Sequence, residues 1–191
     1  MDIHKENDYF EHIQTALWSL QVDKYSVAAR FIEKSASIST EISNWIDLYK
    51  SCLINEVFPE TSINVNSSVK RALLSAMKYT MKQIKEIYPA QKESLKEIMN
   101  ALTITLKQSK ESTILKECFI RFKDFIELFN DTTYDTELLI ALNASFKNIN
   151  VGHEFIHSYI SFVLDNDIID DSRIELLSNG LTQCHKTKEI I

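Results

Sequence analysis

The stretch SVKRALLSAMKYTMKQIKEIY, residues 68–88, decides the fold. Val69, Leu73, Ala76, Met77, Ile84 and Ile87 recur at three- and four-residue spacing, the repeat that lines one face of an α-helix. Arg71, Lys78, Lys82 and Lys85 follow one another at intervals of seven, four and three, so they share the opposite face. Neither Gly nor Pro interrupts the run, and Pro89 stops it. Ser67 or Ser68 is placed to cap its amino end. An amphipathic helix is expected here.

The same pattern extends in both directions. Upstream, residues 59–68 (PETSINVNSS) read as a loop, the best candidate boundary between a hairpin-like part, 1–58, and a helical bundle, 67–191, although the two can form one continuous domain. Before that loop, Asp8 can cap a helix carrying Phe10, Ile13, Leu17 and Leu20, and Asp23 separates it from a second with Val27, Ala28, Phe31 and Ile32. A third starts at Ser39 or Thr40, carries Ile42, Trp45, Ile46, Tyr49, Leu53 and Val57, and ends before Pro59.

Downstream, a helix over 90–108 lines up Leu95, Ile98, Leu102 and Leu106. Another, over 112–130, sets Leu115, Phe119, Phe122, Phe125, Ile126 and Phe129 on one wall, expected to be core because so much aromatic volume must be buried. After DTTYD (131–135) a helix carries Leu139, Leu142, Phe146 and Ile149, with Gly152 expected to interrupt or bend it before His153 to Leu164 continues the stripe. An acidic loop, DNDIIDD (165–171), leads to a short helix closing at Asn179–Gly180. The expected fold is all-α: eight or nine antiparallel helices in a bundle or short α-solenoid, with no sheet.

Composition agrees. With 2 Gly and 2 Pro in 191 residues, the chain lacks the turn formers of β-sandwiches and the glycines of phosphate-binding α/β folds. A hydrophobic share of 45% against 25% charged marks a globular rather than a disordered chain. The net charge of -6 is unevenly spread: residues 1–65 sum to -5, residues 66–110 to +6, and residues 111–191 to -7. A basic middle can attract an acidic partner or nucleic acid, or simply dock beside the acidic flanks. Cys52, Cys118 and Cys184 are odd in number and far apart, which argues against a disulfide framework and a cysteine zinc site. The first residues, MDIHKENDYF, lack the apolar core of a secretory signal, and no uncharged apolar run of about 18 residues is present, so a cytoplasmic, non-membrane setting is expected.

Two local resemblances bear on function. In ALWSLQVDKYSVAARFIEKSASIS (16–39), Leu17 and Leu20 precede Asp23 and Tyr25 at a turn, followed by Ala28, Phe31 and Ser35. A small residue at 28 lets two antiparallel helices approach while Tyr25 and Phe31 fill the angle between them. This resembles the tetratricopeptide repeat over one helix pair within residues 8–55. It departs from the family where Val22 replaces a turn glycine, where no proline follows Ile38, and where no second copy appears at a period of about 34 residues. The resemblance implies stacked helix pairs that present a concave surface to a partner protein.

His153-Glu154-Phe155-Ile156-His157 fits the pattern HExxH. On a helix the two histidines stand one turn apart and can reach one zinc ion, while the glutamate can polarise a metal-bound water. The pentapeptide resembles the zincin metallopeptidases. The resemblance implies His153 and His157 as zinc ligands, Glu154 as general base, and Glu175, 18 residues after His157, as third ligand, with Asp165, Asp167, Asp170 and Asp171 as weaker substitutes. Against it, Ser158-Tyr159-Ile160 stands where a metzincin carries Gly and a third His, and no substrate-pairing strand is readable. His153 also falls on the stripe Leu142–Phe146–Ile149–Ile156–Ile160, so packed imidazoles in a bundle seam are expected instead. There is no second ExxH for a di-iron bundle, no EF-hand glycine and no P-loop.

The expected function is therefore a non-enzymatic, cytoplasmic protein–protein interaction module (an adaptor, an inhibitor or a small subunit of a larger assembly) without a cofactor. Its expected partner-binding residues are Arg71, Lys78, Lys82 and Lys85. One alternative is a small zinc-dependent hydrolase using the HExxH helix. Another is an accessory nucleic-acid subunit whose basic helix follows a phosphate backbone, although no aromatic side chain is expected on that face.

Overall fold

The computed structural model describes residues 42–58, 64–86, 92–129, 137–141 and 149–165, and the single positions 15, 19, 27, 30–32, 34, 35, 143, 171, 174, 175 and 178. Side chains at 92, 149–155 and 162 lie outside that description. Five α-helices have both ends in it: α1 (Ile42–Tyr49), α2 (Ser67–Glu86), α3 (Lys92–Gln108), α4 (Ser112–Phe129) and α5 (Ile149–Asp165). With a π-helical turn over Lys50–Ile54, which continues α1, and the helical run 137–141, seven helical elements are counted among the described residues, against the eight or nine expected for the whole chain. Several expected helices fall on residues outside the described ones. Among the described residues no strand forms, and one isolated antiparallel bridge pairs Val57 with Asn64. The chain is all-α.

In α2, α3 and α4 the expected inward faces, where described, are the observed ones. Val69, Leu73, Ala76, Met77 and Ile84 of α2 are buried, as are Leu95, Ile98, Leu102 and Leu106 of α3. The aromatic wall of α4 is core: Phe119, Phe122 and Phe125 are buried, and Phe129 is partly buried and stacked on Phe125 with ring centroids 5.1 Å apart. α4 is the central element, with α2 and α5 packed along it and α3 against both α2 and α4. α1 and the π turn pack on α2 and α3, so one hydrophobic core runs from Ile32 to Val163 across the loop that was the candidate boundary. Tyr49 and Thr80 share a buried hydrogen bond of 2.8 Å that joins α1 to α2.

Three local expectations are corrected. Asn66, not Ser67 or Ser68, caps α2: its Oδ1 accepts from the Val69 amide at 3.1 Å, and its carbonyl accepts from Lys70 at 3.0 Å. The third expected helix does not run as one α-helix to residue 57. After Tyr49 it widens into the π turn, which closes with the Asn55 amide on the Lys50 carbonyl at 3.1 Å. The wide turn keeps Tyr49, Cys52 and Leu53 all on the core side. Glu56 then reverses the chain at φ 59°, a left-handed position usually given to glycine. The Val57 amide reaches the Ser51 carbonyl at 3.1 Å, one residue wider than an ordinary Schellman closure, as the π turn requires. Finally, Gly152 does not interrupt the helix: α5 runs from Ile149 through it to Asp165.

Candidate functional site

α2 is amphipathic to the point of having two chemistries. Its inner face is buried in the seam with α4, and Arg71, Lys78, Lys82 and Lys85 are all exposed on the outer face. From Arg71 to Lys85 the stripe runs about 21 Å at 1.5 Å per residue. Arg71 and Lys85 have no ion-pair partner among the described residues, whereas Lys78 reaches Asp124 of α4 at 3.7 Å and Lys82 reaches Glu86 one turn on at 3.8 Å. Both contacts are longer than a charge-assisted hydrogen bond, and both lysines are more than half exposed. Each is worth no more than about 1 kcal/mol, so the ammonium groups can exchange to an external carboxylate at little cost.

Beneath the stripe lies a charge pair that is not exchangeable. Arg121 and Asp124, one turn apart on α4, are both buried and meet at 2.9 Å. Arg121 Nη1 also donates to the Ser75 carbonyl of α2 at 3.4 Å. Asp124 thus offers one edge to Arg121 inside and the other to Lys78 outside. The basic segment does dock beside acidic flanks, here and where Lys70 pairs with Glu56, but among the described residues only Lys78 of the four stripe residues takes part.

One exposed aromatic was missed. Tyr79 is 43% exposed and stands one turn before Lys82, at the margin of the stripe, where no aromatic was expected. At 100° per residue it lies some 80° from Arg71, so a helical projection of the sequence already places it on the boundary. Its neighbour Thr80 is buried.

Of the HExxH pentapeptide, His157 is brought to solvent, not to a seam. In α5 the inward residues are Tyr159 and Val163, both buried, with Ile156 partly buried. His157 is exposed, together with Ser161, Leu164 and Asp165 on the same side of the helix. The expectation of a packed imidazole therefore fails at His157, because the helical register that turns Tyr159 inward turns residue 157 outward. Backbone register puts His153 and Glu154 in the same helix, and their side chains lie outside the described ones. Glu175 is exposed. Among the described residues no group of three or more His, Cys, Asp or Glu side chains is close enough to hold a metal ion.

In the repeat-like segment, Ser19, Ile32 and Ser35 are buried and Phe31 partly so, while Leu17, Leu20, Asp23, Tyr25 and Ala28 lie outside the described residues. Val27, Arg30, Phe31 and Lys34 line an open cavity of about 530 Å³. Cys52 and Cys118 are unpaired and buried, and burial pushes both thiols up to about 12, with Glu117 adding to the rise at Cys118. Thiols so protonated are not nucleophiles at neutral pH. Among the described residues no helix is long and apolar enough to cross a membrane. No protein-family model matches the chain, and no curated protein and no solved structure is significantly similar to it.

Proposed function

We propose that the protein is a non-enzymatic helical interaction module whose α2 outer face binds an acidic partner protein. One observation carries this reading: Arg71, Lys78, Lys82 and Lys85 stand in solvent on one helix face, beside Tyr79, with only loose contacts to neighbouring carboxylates. Cationic side chains at helical spacing match carboxylates at the same spacing on a partner, and an exposed tyrosine supplies apolar area with one polar end. A protein partner is favoured over a nucleic acid by the net charge of -6, which repels a long polyphosphate while leaving a short acidic surface free to approach the local basic face. A cytoplasmic setting is part of the proposal, supported by the unpaired state of Cys52 and Cys118.

The test is fluorescence anisotropy with two probes, a helical peptide bearing glutamates at three- and four-residue spacing and a single-stranded oligonucleotide, each at low and at physiological salt. The peptide is expected to bind the wild type and to lose about tenfold or more in affinity with Lys78→Glu and Lys82→Glu combined. Tighter binding of the oligonucleotide than of the peptide would replace this reading with the nucleic-acid one. Binding of neither probe would remove the α2 face as an interaction site.

A further inference from the structure

We propose that the open cavity at Val27, Arg30, Phe31 and Lys34 is a small-molecule site, and that it takes an amphiphilic anion, one carboxylate on an aliphatic body of medium length. The cavity volume of about 530 Å³ falls within the roughly 300–1,000 Å³ usual for such sites. The described positions 27, 30–32, 34 and 35 are all helical, and the four lining residues stand at the spacing of one helix face. At 100° per residue they fall within an arc of about 100°. Arg30 and Lys34 take one side of that arc, and Val27 and Phe31 the other. Ile32 and Ser35, both fully buried, lie beyond the apolar side, where the helix meets the core.

This division of the face selects the ligand. Phe31 is partly buried and packs against the core, so it is a fixed apolar wall, and Val27 leaves 37% of its surface open beside it. An aliphatic chain laid there takes apolar area of both partners out of water. Arg30 and Lys34 are exposed one turn apart, and together they offer two positive charges to one carboxylate. Arg30 has no ion-pair partner among the described residues. Long cationic side chains also bring apolar stems beneath their charged heads, which lengthens the wall available to the chain of the ligand. Residues 1–65 sum to -5, so the two cations are a local exception in an acidic region. A polyanion is repelled by that region, whereas a single carboxylate meets only the pair. A concave site also seats one free molecule, while a lipid bilayer presents a plane.

Calorimetric titration of the full chain with decanoate, decanol and acetate, each below any micelle concentration, tests this. Decanoate is expected to saturate one site per chain. Decanol, which lacks the charge, and acetate, which lacks the chain, are each expected to bind about tenfold more weakly or worse. Arg30→Gln with Lys34→Gln is expected to weaken decanoate by about fivefold or more and to leave decanol unchanged. Val27→Asn is expected to weaken both long-chain probes. These three positions are not buried, so circular dichroism should be unaltered. Acetate binding as tightly as decanoate reduces the site to a pair of surface cations, and decanol binding as tightly removes the role of Arg30 and Lys34. Either result overturns the proposal. So does binding to anionic phospholipid vesicles without binding to free decanoate. Decanoate affinity lost in Lys78→Glu with Lys82→Glu, but kept in the Arg30 and Lys34 variant, would move the site to α2 and overturn the proposal as well.

Discussion

α2 and α5 lean on the same helix and follow the same plan, an apolar stripe turned toward α4, yet their outer faces have nothing in common. α2 shows water a row of cations from Arg71 to Lys85, and α5 shows His157, Ser161, Leu164 and Asp165. Packing specifies the inner residues closely, because a core of near-crystalline density tolerates little change in volume. It leaves the outer positions almost unconstrained. Distinct outer faces on equivalent inner ones are therefore where binding specificity is to be sought in a chain with no assembled catalytic group among its described residues.

Substitutions that separate inner from outer positions sharpen this contrast. The largest effect is expected from Phe122→Ala, which empties a fully buried site on α4. Urea denaturation should show a loss of about 3–5 kcal/mol. A loss below about 1 kcal/mol would mean that the central seam is not packed as described. Next comes Asp124→Ala, which strands the buried Arg121 guanidinium and is expected to cost about 3 kcal/mol. Lys78→Ala removes the exposed partner of the same carboxylate and is expected to cost less than about 1 kcal/mol. Equal losses from the two would abolish the distinction between the buried pair and the exchangeable stripe.

The buried thiols make a further distinction between inside and outside. Both are held protonated by the fold up to about pH 12, against an ordinary value of 9. Folding therefore favours the protonated form. This contribution is complete below pH 9 and drains away between pH 9 and about 12, where the unfolded chain ionises its thiols first. Alkaline unfolding followed by fluorescence should show that decline, and iodoacetamide at neutral pH should label Cys52 and Cys118 only when denaturant is present. Rapid labelling without denaturant would show that the core around them opens.

Smaller effects complete the series. Glu56→Gly and Glu56→Ala both remove the ion pair with Lys70, so their difference isolates the backbone. The glycine variant is expected to be the more stable by about 1 kcal/mol, since only glycine accepts φ 59° without strain from a Cβ. Leu164→Ser, on the outer face of α5, is expected to change monomer stability by less than about 0.5 kcal/mol. Thermal melts check this.

How much was legible follows the same division. Period alone placed Leu73, Met77, Ile98, Leu102 and Phe122 inward, because burial of one helix face repeats along the chain and leaves its mark every three or four residues. Ends were read less well. Asn66 took the cap that Ser67 and Ser68 also matched, since Asn and Ser both serve as caps and helix starts are read from sequence only to within a residue or two. The π turn at Lys50–Ile54 had no signature, for it arises from seating Tyr49, Cys52 and Leu53 together against the neighbouring helices. The four basic residues of α2 were found from spacing. Tyr79 was not, and the outward turn of His157 reversed the expectation that the imidazoles pack in a seam.

The amino-acid order by itself determined that this chain is built of amphipathic helices, because helical period and a scarcity of Gly and Pro are local properties that need no partner to be expressed. Tertiary structure alone decided which margins of those helices meet water: α4 covers one side of α2 and one side of α5, and residues at the edge of each stripe fall inside or outside according to how close the neighbour comes. A side chain at such an edge has no fixed fate in the sequence, since its burial is a property of two surfaces and the sequence of one helix describes only one of them.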